Sequence, residues 1–455
     1  MSTVLGIDLG TQSVKAVCYD AGRRKTIALG SAPLALRQDA AGTAEQEAAW
    51  WLDATVAALA GIPDDVRRRI AAVSVSGQQH GFVAVDGDGE VVAPVKLWCD
   101  TSTGAQCAAI MARFGGAAAC ISELGNAILP GYTASKIAWL RDKHPDRYCR
   151  MRHIMLPHDY LNYRLTGEPR MEAGDASGTG LLDVRRRTWS EKMLRCVDPD
   201  RDLRACLPDV RTDGGAIGTV SAAAAGRFGL PAGIPVAAGG GDNMMAAIGS
   251  GNVTDGVVTM SLGTSGTLYA YSRRPVVDPA GDIAAAAPGA QGVVTVPFFN
   301  GERTPNLPSA RACVFGLHPG NTLPGNLLRA TVEGATFALR SGLQRLRDFG
   351  IEAAQIVLTG GGSNSATWRQ IVADVCATPV TTLRHDEGAA HGAALQALAM
   401  LRNESDMTAV TATHVEMDDN RRCDPRPAAS TRYDEVYSEY QRAVDRVASM
   451  YQRSL

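Results

Sequence analysis

A short pattern of segments occurs once in each half of the chain and constrains the fold more than any other feature. An apolar run leads into a glycine-threonine turn and a second β-like run, and a helical segment and another apolar run follow. In the first half these are residues 4–8, Gly10-Thr11-Gln12, 13–19, 45–60 and 70–76. In the second half they are residues 257–262, Gly263-Thr264, 267–271, 326–349 and 356–359. A duplicated α/β fold with a crevice between its halves explains the repeat most simply, and chance likeness between common α/β pieces is the alternative.

Length and composition favour a globular protein of two lobes. The chain has 455 residues, which is too long for one core, and 45% of them are apolar and 20% charged. A turn-rich break at residues 231–241 predicts a first lobe over residues 1–238 and a second over residues 239–455. Helical periodicity over residues 431–451 predicts a helix that closes the second lobe. The net charge of -2 offers no field that would attract nucleic acid or an anionic membrane, so neither is expected as a partner.

The cysteines and the first residues favour a cytoplasmic protein. The ten cysteines are scattered and form no Cys-x-x-Cys pair, so free thiols in a reducing compartment are expected. The first eight residues lack the basic and long apolar regions of a signal peptide. No apolar run approaches the roughly 20 residues that a membrane-spanning helix needs.

Asp8 ends an apolar run beside Gly10 and Thr11. A carboxylate at the end of a buried strand needs a cation or hydrogen-bond donors, and Mg²⁺ with a phosphate suits a glycine turn. The alternative is an aspartate that only caps the turn.

The glycine-threonine turns are neither Walker A loops nor Gly-x-Gly-x-x-Gly loops. In such a turn glycine lets backbone amides point at phosphate oxygens, and the threonine hydroxyl adds a donor. Two turns that face each other would hold a triphosphate. The run Gly360-Gly361-Gly362-Ser363-Asn364 provides a third glycine surface, suited to the adenosine end.

The stretch Gly239-Gly240-Gly241-Asp242-Asn243 is the most informative one. Its glycines carry no side chains, so the carboxylate and the amide project into the space beside the chain. Asp242 is therefore a candidate general base for a hydroxyl that attacks phosphorus, and Asn243 would orient the acceptor. The alternative is that Asp242 only caps a helix over residues 244–248.

Two further segments offer polar groups to a sugar. Gln78-Gln79-His80-Gly81 follows a strand end, where glutamine and histidine can bind hydroxyls, although a satisfied polar turn is the alternative. Trp98 and Asp100 offer a stacking face and a further carboxylate.

Two stretches resemble the signature sequences of the FGGY carbohydrate kinases, within the actin, hexokinase and chaperone superfamily. The first is residues 131–140, and the second joins residues 312–317 to residues 326–333. The resemblance extends from about residue 5 to residue 401. It implies two actin-like, ribonuclease H-like lobes with a central cleft, a first lobe that mainly binds sugar and a second that mainly binds ATP.

Within that family the chain looks most like the members that phosphorylate D-xylulose at O5. The motifs that carry this likeness are residues 76–81, Leu97-Trp98-Cys99-Asp100 with 101–103, and Gly240-Gly241-Asp242-Asn243. The resemblance implies that Asp242 is the general base, that Asp8 holds Mg²⁺ and phosphates, and that His80 and Asn243 bind the sugar together with the Gln79 backbone. The residues expected around ATP are Gly10, Thr11, Gln12, Gly263, Thr264, Gly361, Gly362 and Asn364. Homodimers are common in the family, and the resemblance extends this expectation to the chain.

Two departures bear on the sugar and on the nucleotide. Residues 272–296 form a segment that looks short for the family, which affects any nucleotide or dimer contact made there. Some members that act on D-xylulose carry an arginine before the first signature, whereas residues 127–130 here contain none. Kinases for ribulose, gluconate, glycerol or a heptulose therefore remain alternatives. A nucleotide-driven binding protein of the same superfamily, or a sugar-sensing regulator, would be a different class.

Overall fold

The chain folds into two compact units. The structure is a computed structural model that describes residues 2–262, 266–272, 294–299, 302, 307, 310–319, 321–385 and 388–452. The first unit contains residues 2–249 and 388–414, and the second contains the described residues between 250 and 385 together with residues 415–452.

The strands are numbered along the chain. They are β1 (Thr3–Leu9), β2 (Ser13–Asp20), β3 (Lys25–Pro33), β4 (Arg37–Gln38), β5 (Ala44–Gln46), β6 (Ile70–Gly77), β7 (Val83–Val85), β8 (Val95–Lys96), β9 (His153–Met155), β10 (Met171–Glu172), β11 (Leu182–Asp183), β12 (Thr188–Trp189), β13 (Val210–Arg211), β14 (Ala216–Thr219), β15 (Pro235–Ala237), β16 (Gly240–Gly241), β17 (Val257–Leu262), β18 (Gly266–Ala270), β19 (Val294–Val296), β20 (Cys313–Phe315), β21 (Gln355–Thr359) and β22 (Val380–Thr382).

The helices are numbered in the same way. They are α1 (Ala48–Ala60), α2 (Asp64–Arg67), α3 (Gly104–Phe114), α4 (Ala117–Leu124), α5 (Thr133–Lys143), α6 (Pro145–Arg150), α7 (Pro157–Thr166), α8 (Ala173–Ala176), α9 (Glu191–Val197), α10 (Ala222–Phe228), α11 (Asp242–Gly249), α12 (Pro324–Asp348), α13 (Ala366–Cys376), α14 (Gly388–Arg402), α15 (Met407–His414) and α16 (Pro427–Gln452). Short 3-10 helices cover Ser177–Thr179, Leu203–Cys206, Gly361–Asn364 and Asp419–Arg421.

The main sheet of the first unit has the order β14-β15-β6-β1-β2-β3, and β16 also pairs with β6. Strand β1 is antiparallel to β2 and parallel to β6. Strand β1 is apolar almost throughout, and every one of its residues except Asp8 is buried. This is expected for a strand covered on both faces. Helices α1, α7 and α10 contribute Trp51, Leu161 and Phe228 to its core.

The second unit repeats this arrangement on a smaller scale. Its sheet has the order β18-β17-β21-β22, with β17 antiparallel to β18 and parallel to β21. The core lies between this sheet and helices α12, α13 and α16 and includes Phe337, Val372 and Tyr440. The antiparallel strands of both predicted hairpins and both later parallel strands are therefore confirmed, as is the predicted C-terminal helix.

The predicted helix over residues 45–60 begins later than expected. Residues 44–46 form β5, in which Glu45 pairs with Lys96 of β8 along the backbone. The Lys96 ammonium also lies 2.9 Å from the Glu45 carboxylate. These contacts extend the chain at Glu45, so α1 starts only at Ala48.

Backbone contacts between glycines hold α11 against α14. A Cβ atom on Gly392 would lie 1.7 Å from the carbonyl oxygen of Met245, and one on Gly249 would lie 2.4 Å from that of Gly388. The two helices can approach this closely only because these positions lack side chains. The contact makes α11 part of the first unit, so the compact units divide after residue 249, whereas the predicted lobes divide after residue 238.

Among the described residues, no single helix has the length and apolar composition of a membrane span. Helices α3 and α4 meet that composition only as a pair, and they are bent by 72° at their junction. All ten cysteines lie within the described residues and are free thiols, as the sequence predicts.

The glycine contact predicts a strong asymmetry between two Gly→Ala substitutions. Gly392→Ala should destabilise the protein by roughly 1–3 kcal/mol or more because its methyl group overlaps the backbone of α11. Gly226→Ala in α10 is the control, since a Cβ there meets nothing within 4 Å, and it should stabilise by about 0.5–1 kcal/mol. Chemical denaturation of both variants measures the difference. Equal effects at the two sites would contradict the packing described here.

Candidate active site

The ends of three parallel strands bring the principal candidate residues to one edge of the main sheet. Asp8 of β1 pairs with Ser76 of β6, and Gly240 of β16 pairs with Ser76 from its other side. The Ser76 hydroxyl donates to the Asp8 carboxylate over 2.7 Å. Asp242 follows β16 directly and is the first residue of α11. The strand register therefore explains why residues so distant in sequence share one site.

The run of glycines before Asp242 is required by close backbone contact. Gly239 has a φ of 78°, and a Cβ on it would lie 2.2 Å from the carbonyl oxygen of Val75. Gln396 of α14 fixes the same residue: its side-chain oxygen accepts from the Gly239 amide over 2.9 Å, and its nitrogen donates to the Gly239 carbonyl over 3.0 Å. The turn is therefore held rigidly, and it fixes both the start of α11 and the position of the Asp242 carboxylate.

Asp242 has the electrostatic character of a proton acceptor that works near neutral pH. Burial, followed by the negative charges of Asp8 and Asp175, raises its pKa from 3.8 to about 7. The Asn243 backbone amide donates to its carboxylate over 2.8 Å and opposes that shift. Burial also raises the pKa of Asp8, against the lowering effects of Ser76 and Lys15. A base whose pKa lies near the working pH combines correct protonation with driving force for proton transfer.

Gln79 and Asn243 form a hydrogen-bonded pair beside Asp242. The Asn243 side-chain nitrogen donates to the Gln79 side-chain oxygen over 2.7 Å. The Gln79 nitrogen in turn donates to Asp175 over 3.3 Å. The segment after β6, α8 and α11 thus contribute to one polar network.

His80 is held in an unusual backbone conformation. Its φ is 61°, in the left-handed region that a non-glycine residue adopts at a cost of about 1 kcal/mol or more. Thr133 and the buried Lys136 donate to its carbonyl oxygen over 3.1 and 2.7 Å. Its ring stacks on Tyr132 with centroids 4.8 Å apart, and its Nδ1 lies 2.7 Å from the carbonyl oxygen of Gly178. The ring is therefore fixed before any ligand binds.

Trp98 and Thr11 are joined in the first unit. The Trp98 indole N–H donates to the Thr11 hydroxyl over 3.0 Å, and that hydroxyl donates to Gln78 over 3.2 Å. Gln12 is exposed, while the Gly10 amide closes the turn by donating to the Ser13 carbonyl over 3.1 Å. The predicted phosphate-binding turn is thus ordered by contacts of its own.

Asp100 is buried and bound by groups of the protein. One of its oxygens accepts from the Ala44 amide over 2.9 Å and from Lys96 over 3.0 Å. The other accepts from the amide and the hydroxyl of Ser102 over 3.0 and 2.6 Å. These hydrogen bonds order the segment that follows Trp98.

The predicted nucleotide residues of the second unit follow its parallel strands. Gly361, Gly362 and Asn364 form the 3-10 helix after β21, at the same sheet edge as the end of β17. A Cβ on Gly361 would meet nothing within 4 Å, whereas one on Gly362 would lie 2.7 Å from the Leu262 side chain. The Asn364 oxygen accepts from Arg421 over 3.2 Å. Gly263 and Thr264 lie outside the described residues, as does most of the short segment 272–296.

Sequence reasoning missed a buried acid–base group below Gln79. His158 of α7 lies 2.9 Å from Asp175 through Nδ1 and 2.9 Å from Asp159 through Nε2. Glu172 accepts from the backbone amides of Gly174 and Asp175, and burial raises its pKa to about 7. No local pattern marks these residues, because their importance comes from contacts with β6 and α11.

Asp8 is the residue best suited to a magnesium ion. Among the described residues, no three His, Cys, Asp or Glu side chains are grouped so that they could hold a metal. Mg²⁺ at phosphates needs only one or two carboxylates, since phosphate oxygens and waters complete its shell. The raised pKa values of Asp8 and Asp242 show two carboxylates whose charges a cation would neutralise. The donor set therefore fits the ion.

Family models cover most of the chain. The model of the FGGY family of carbohydrate kinases, N-terminal domain, matches residues 3–249, and the model of the C-terminal domain matches residues 277–401. The first match ends at Gly249, the last residue of α11. The first continuous segment of the first compact unit ends at the same residue.

Similar proteins share this architecture over nearly their whole length. The xylulose kinase of Haemophilus influenzae is 37% identical over 484 aligned residues, covering 96% of this chain and 98% of that protein. The crystal structure of a xyloylose kinase from Brucella ovis superposes with a TM-score of 0.86 at 29% identity, covering 98% and 100% of the two chains. The ligand-bound xylulose kinase of Lactobacillus acidophilus has a TM-score of 0.90 at 21% identity, covering 100% of both chains.

These findings agree with the fold. The two-domain, actin-like ATPase fold of sugar kinases is the fold of this chain. Both domain models and a relative that aligns over almost the full length identify the same enzymes, which transfer phosphate to an alcohol group. The chain belongs to the FGGY family of carbohydrate kinases.

Proposed function

We propose that this kinase phosphorylates D-xylulose at O5 with ATP, giving D-xylulose 5-phosphate. The observation that carries the proposal is the position of Asp242, whose carboxylate has a pKa of about 7 at the end of a glycine turn beside Asn243 and Gln79. The choice of D-xylulose as the sugar rests on the relatives named xylulose kinase, which align over 96% and 88% of the chain.

Asp242 acts as the general base in this proposal. It accepts the proton of the sugar O5 hydroxyl as that oxygen attacks the γ-phosphorus of ATP, and the bond from that phosphorus to the leaving ADP oxygen breaks. Phosphoryl transfer requires little covalent help, so the position of the hydroxyl matters as much as the base. The rigid Gly239 turn and the start of α11 support this role because they fix the position of Asp242.

Asn243, His80 and the Gln79 backbone bind the sugar hydroxyls, and Trp98 supplies an apolar face beside them. This set is supported by the hydrogen bond between Asn243 and Gln79 and by the fixed ring of His80. Asp100 contributes by ordering the segment after Trp98, because protein donors occupy both of its oxygens.

The remaining candidate residues bind ATP and Mg²⁺ in this proposal. Gly10, Thr11 and Gln12 contact phosphates from the first lobe, and those expected in the second lobe are Gly263, Thr264, Gly361, Gly362 and Asn364. Asp8 holds the Mg²⁺, which neutralises charge on the phosphates. The open space beside Gly361 supports a contact with the flat adenosine group. In this scheme the first lobe, residues 1–238, mainly binds sugar, and the second, residues 239–455, mainly binds ATP.

The expectations on assembly and location remain predictions. They are a homodimer, a cytoplasmic location, and the lack of nucleic-acid and membrane partners.

A sugar panel tests the proposed substrate. D-xylulose should give the highest kcat/KM in a coupled ADP-release assay against ribulose, gluconate, glycerol and a heptulose. Glycerol should be at least about 10²-fold poorer, because buried polar groups then lose their hydroxyl partners. Phosphorus NMR of the product should place the phosphate on O5. ATP consumption that no sugar or polyol changes would instead favour a nucleotide-driven binding protein.

Asp242→Asn tests the base. Turnover should fall by about 10²- to 10⁴-fold, because the amide cannot accept the proton, while ATP binding persists. Asp445→Asn on the exposed side of α16 is the matched control and should leave kcat unchanged. Near-normal turnover of Asp242→Asn would remove the assignment.

The raised pKa of Asp242 also predicts how stability depends on pH without ligands. The folded protein keeps the Asp242 proton up to about pH 7, whereas the unfolded chain loses it near 3.8, so stability falls as pH rises between these values. Asp242→Asn removes this loss. The difference in unfolding free energy between Asp242→Asn and the wild type should therefore change in favour of the variant by roughly 1–3 kcal/mol from pH 5 to pH 8. Thermal unfolding over this range, with Asp445→Asn as control, measures it, and a constant difference would be inconsistent with the shift.

A further inference from the structure

A fully buried histidine lies two contacts away from the sugar-binding amides. His158 and Asp175 have no exposed surface, and Asp159 is 1% exposed. The His158 ring contacts both carboxylates, Asp175 through Nδ1 and Asp159 through Nε2, each at 2.9 Å. Burial disfavours the charged ring, but the two carboxylates outweigh it and hold the pKa of His158 well above 6.5. The ring is therefore a charged bridge that keeps both carboxylates in place.

The two contacts of His158 serve different parts of the molecule. Asp159 accepts from the Leu156 amide over 3.1 Å and so caps the start of α7. Asp175 accepts from the Gln79 side-chain nitrogen over 3.3 Å. Only the Nδ1 side of the ring is thus connected to the candidate active site.

Asp175 determines which way the Gln79 amide faces. One Asp175 oxygen accepts from the Gln79 nitrogen and the other lies against the His158 Nδ1, so the nitrogen end of the Gln79 amide faces Asp175. That nitrogen also lies 3.5 Å from the Met244 sulfur, which accepts weakly. The Gln79 oxygen consequently faces Asn243.

Gln79 in turn determines which way the Asn243 amide faces. Its oxygen accepts from the Asn243 nitrogen over 2.7 Å, so the opposite end of that amide, the Oδ1 atom, points elsewhere. Asn243 directly follows Asp242, the proposed base. A reversed Asn243 amide would present a donor where the sugar should meet an acceptor.

We propose that His158 is a positioning residue that acts through Asp175 and Gln79 to orient the Asn243 amide, so that its Oδ1 accepts a hydrogen bond from a sugar hydroxyl. This inference rests on the proposed function, in which Asn243 binds the sugar. The order of contacts is His158 to Asp175, Asp175 to Gln79, and Gln79 to Asn243. Each step is fixed by a donor that meets an acceptor.

Two substitutions at His158 separate its two contacts. The amide nitrogen of Asn occupies about the position of Nδ1, so His158→Asn keeps a donor to Asp175 and loses the close contact between Nε2 and Asp159. The amide nitrogen of Gln occupies about the position of Nε2, so His158→Gln does the reverse. Both variants lose the ring and its charge, and each therefore serves as the control for the other. Thermal unfolding measures the stability that both are expected to lose.

Steady-state kinetics of the full-length enzyme with D-xylulose and ATP provide the test. His158→Gln should raise the KM for sugar about tenfold, the effect of losing one oriented hydrogen bond, while the KM for ATP changes less than about twofold. His158→Asn should keep the KM for sugar within about threefold of wild type. Equal KM values for sugar in the two variants, or a larger rise in His158→Asn, would overturn the proposal.

A second variant decides the matter if either His158 variant fails to fold. Gln79→Met keeps a side chain of similar length at a half-buried position and removes both amide hydrogen bonds. It should also raise the KM for sugar about tenfold, and an unchanged KM would overturn the proposal. Asp242→Asn separates the two hypotheses: if it retains turnover, the proposed function fails, whereas full loss of turnover with equal His158 variants rejects only the positioning by His158.

Discussion

The pairing of β6 with both β1 and β16 is the constraint on which the site depends. It brings Asp8 and Asp242 to one sheet edge, where each is poorly hydrated and Asp8 raises the pKa of Asp242. Two nearby carboxylates destabilise the folded protein when both are ionised. Burial together with this repulsion yields a base near neutral pH and a place for a cation, so the cost in stability and the chemistry have the same origin.

Close backbone packing makes that pairing possible. Gly239 has to be glycine because the carbonyl of Val75 lies where its Cβ would be, and Gly392 has to be glycine because α11 lies there. Gln396 of α14 then joins the two regions by hydrogen bonds to Gly239. Helix α14 therefore supports the active site, although it begins about 150 residues after Gly239 in the chain.

The sequence predicted the elements of this site better than its supporting contacts. The turn before Asp242 and the hairpin that contains Asp8 were identifiable because glycine turns at strand ends are local signals. The extended conformation of Glu45 was missed, since Lys96 supplies its partner from a distant strand. His158 and Asp175 gave no signal, because a buried polar group has meaning only once its neighbours are known. The protein donors of Asp100 gave no signal for the same reason, since they cannot be inferred from spacing.

The proposed chemistry requires the sugar hydroxyl to lie against Asp242. A crystal structure with D-xylulose and a non-hydrolysable ATP analogue measures this directly. We expect O5 to lie about 2.6–3.2 Å from an Asp242 carboxylate oxygen and to point at the γ-phosphorus. A complex in which O5 contacts another base, with Asp242 beyond the reach of O5 or of one bridging water, would contradict it.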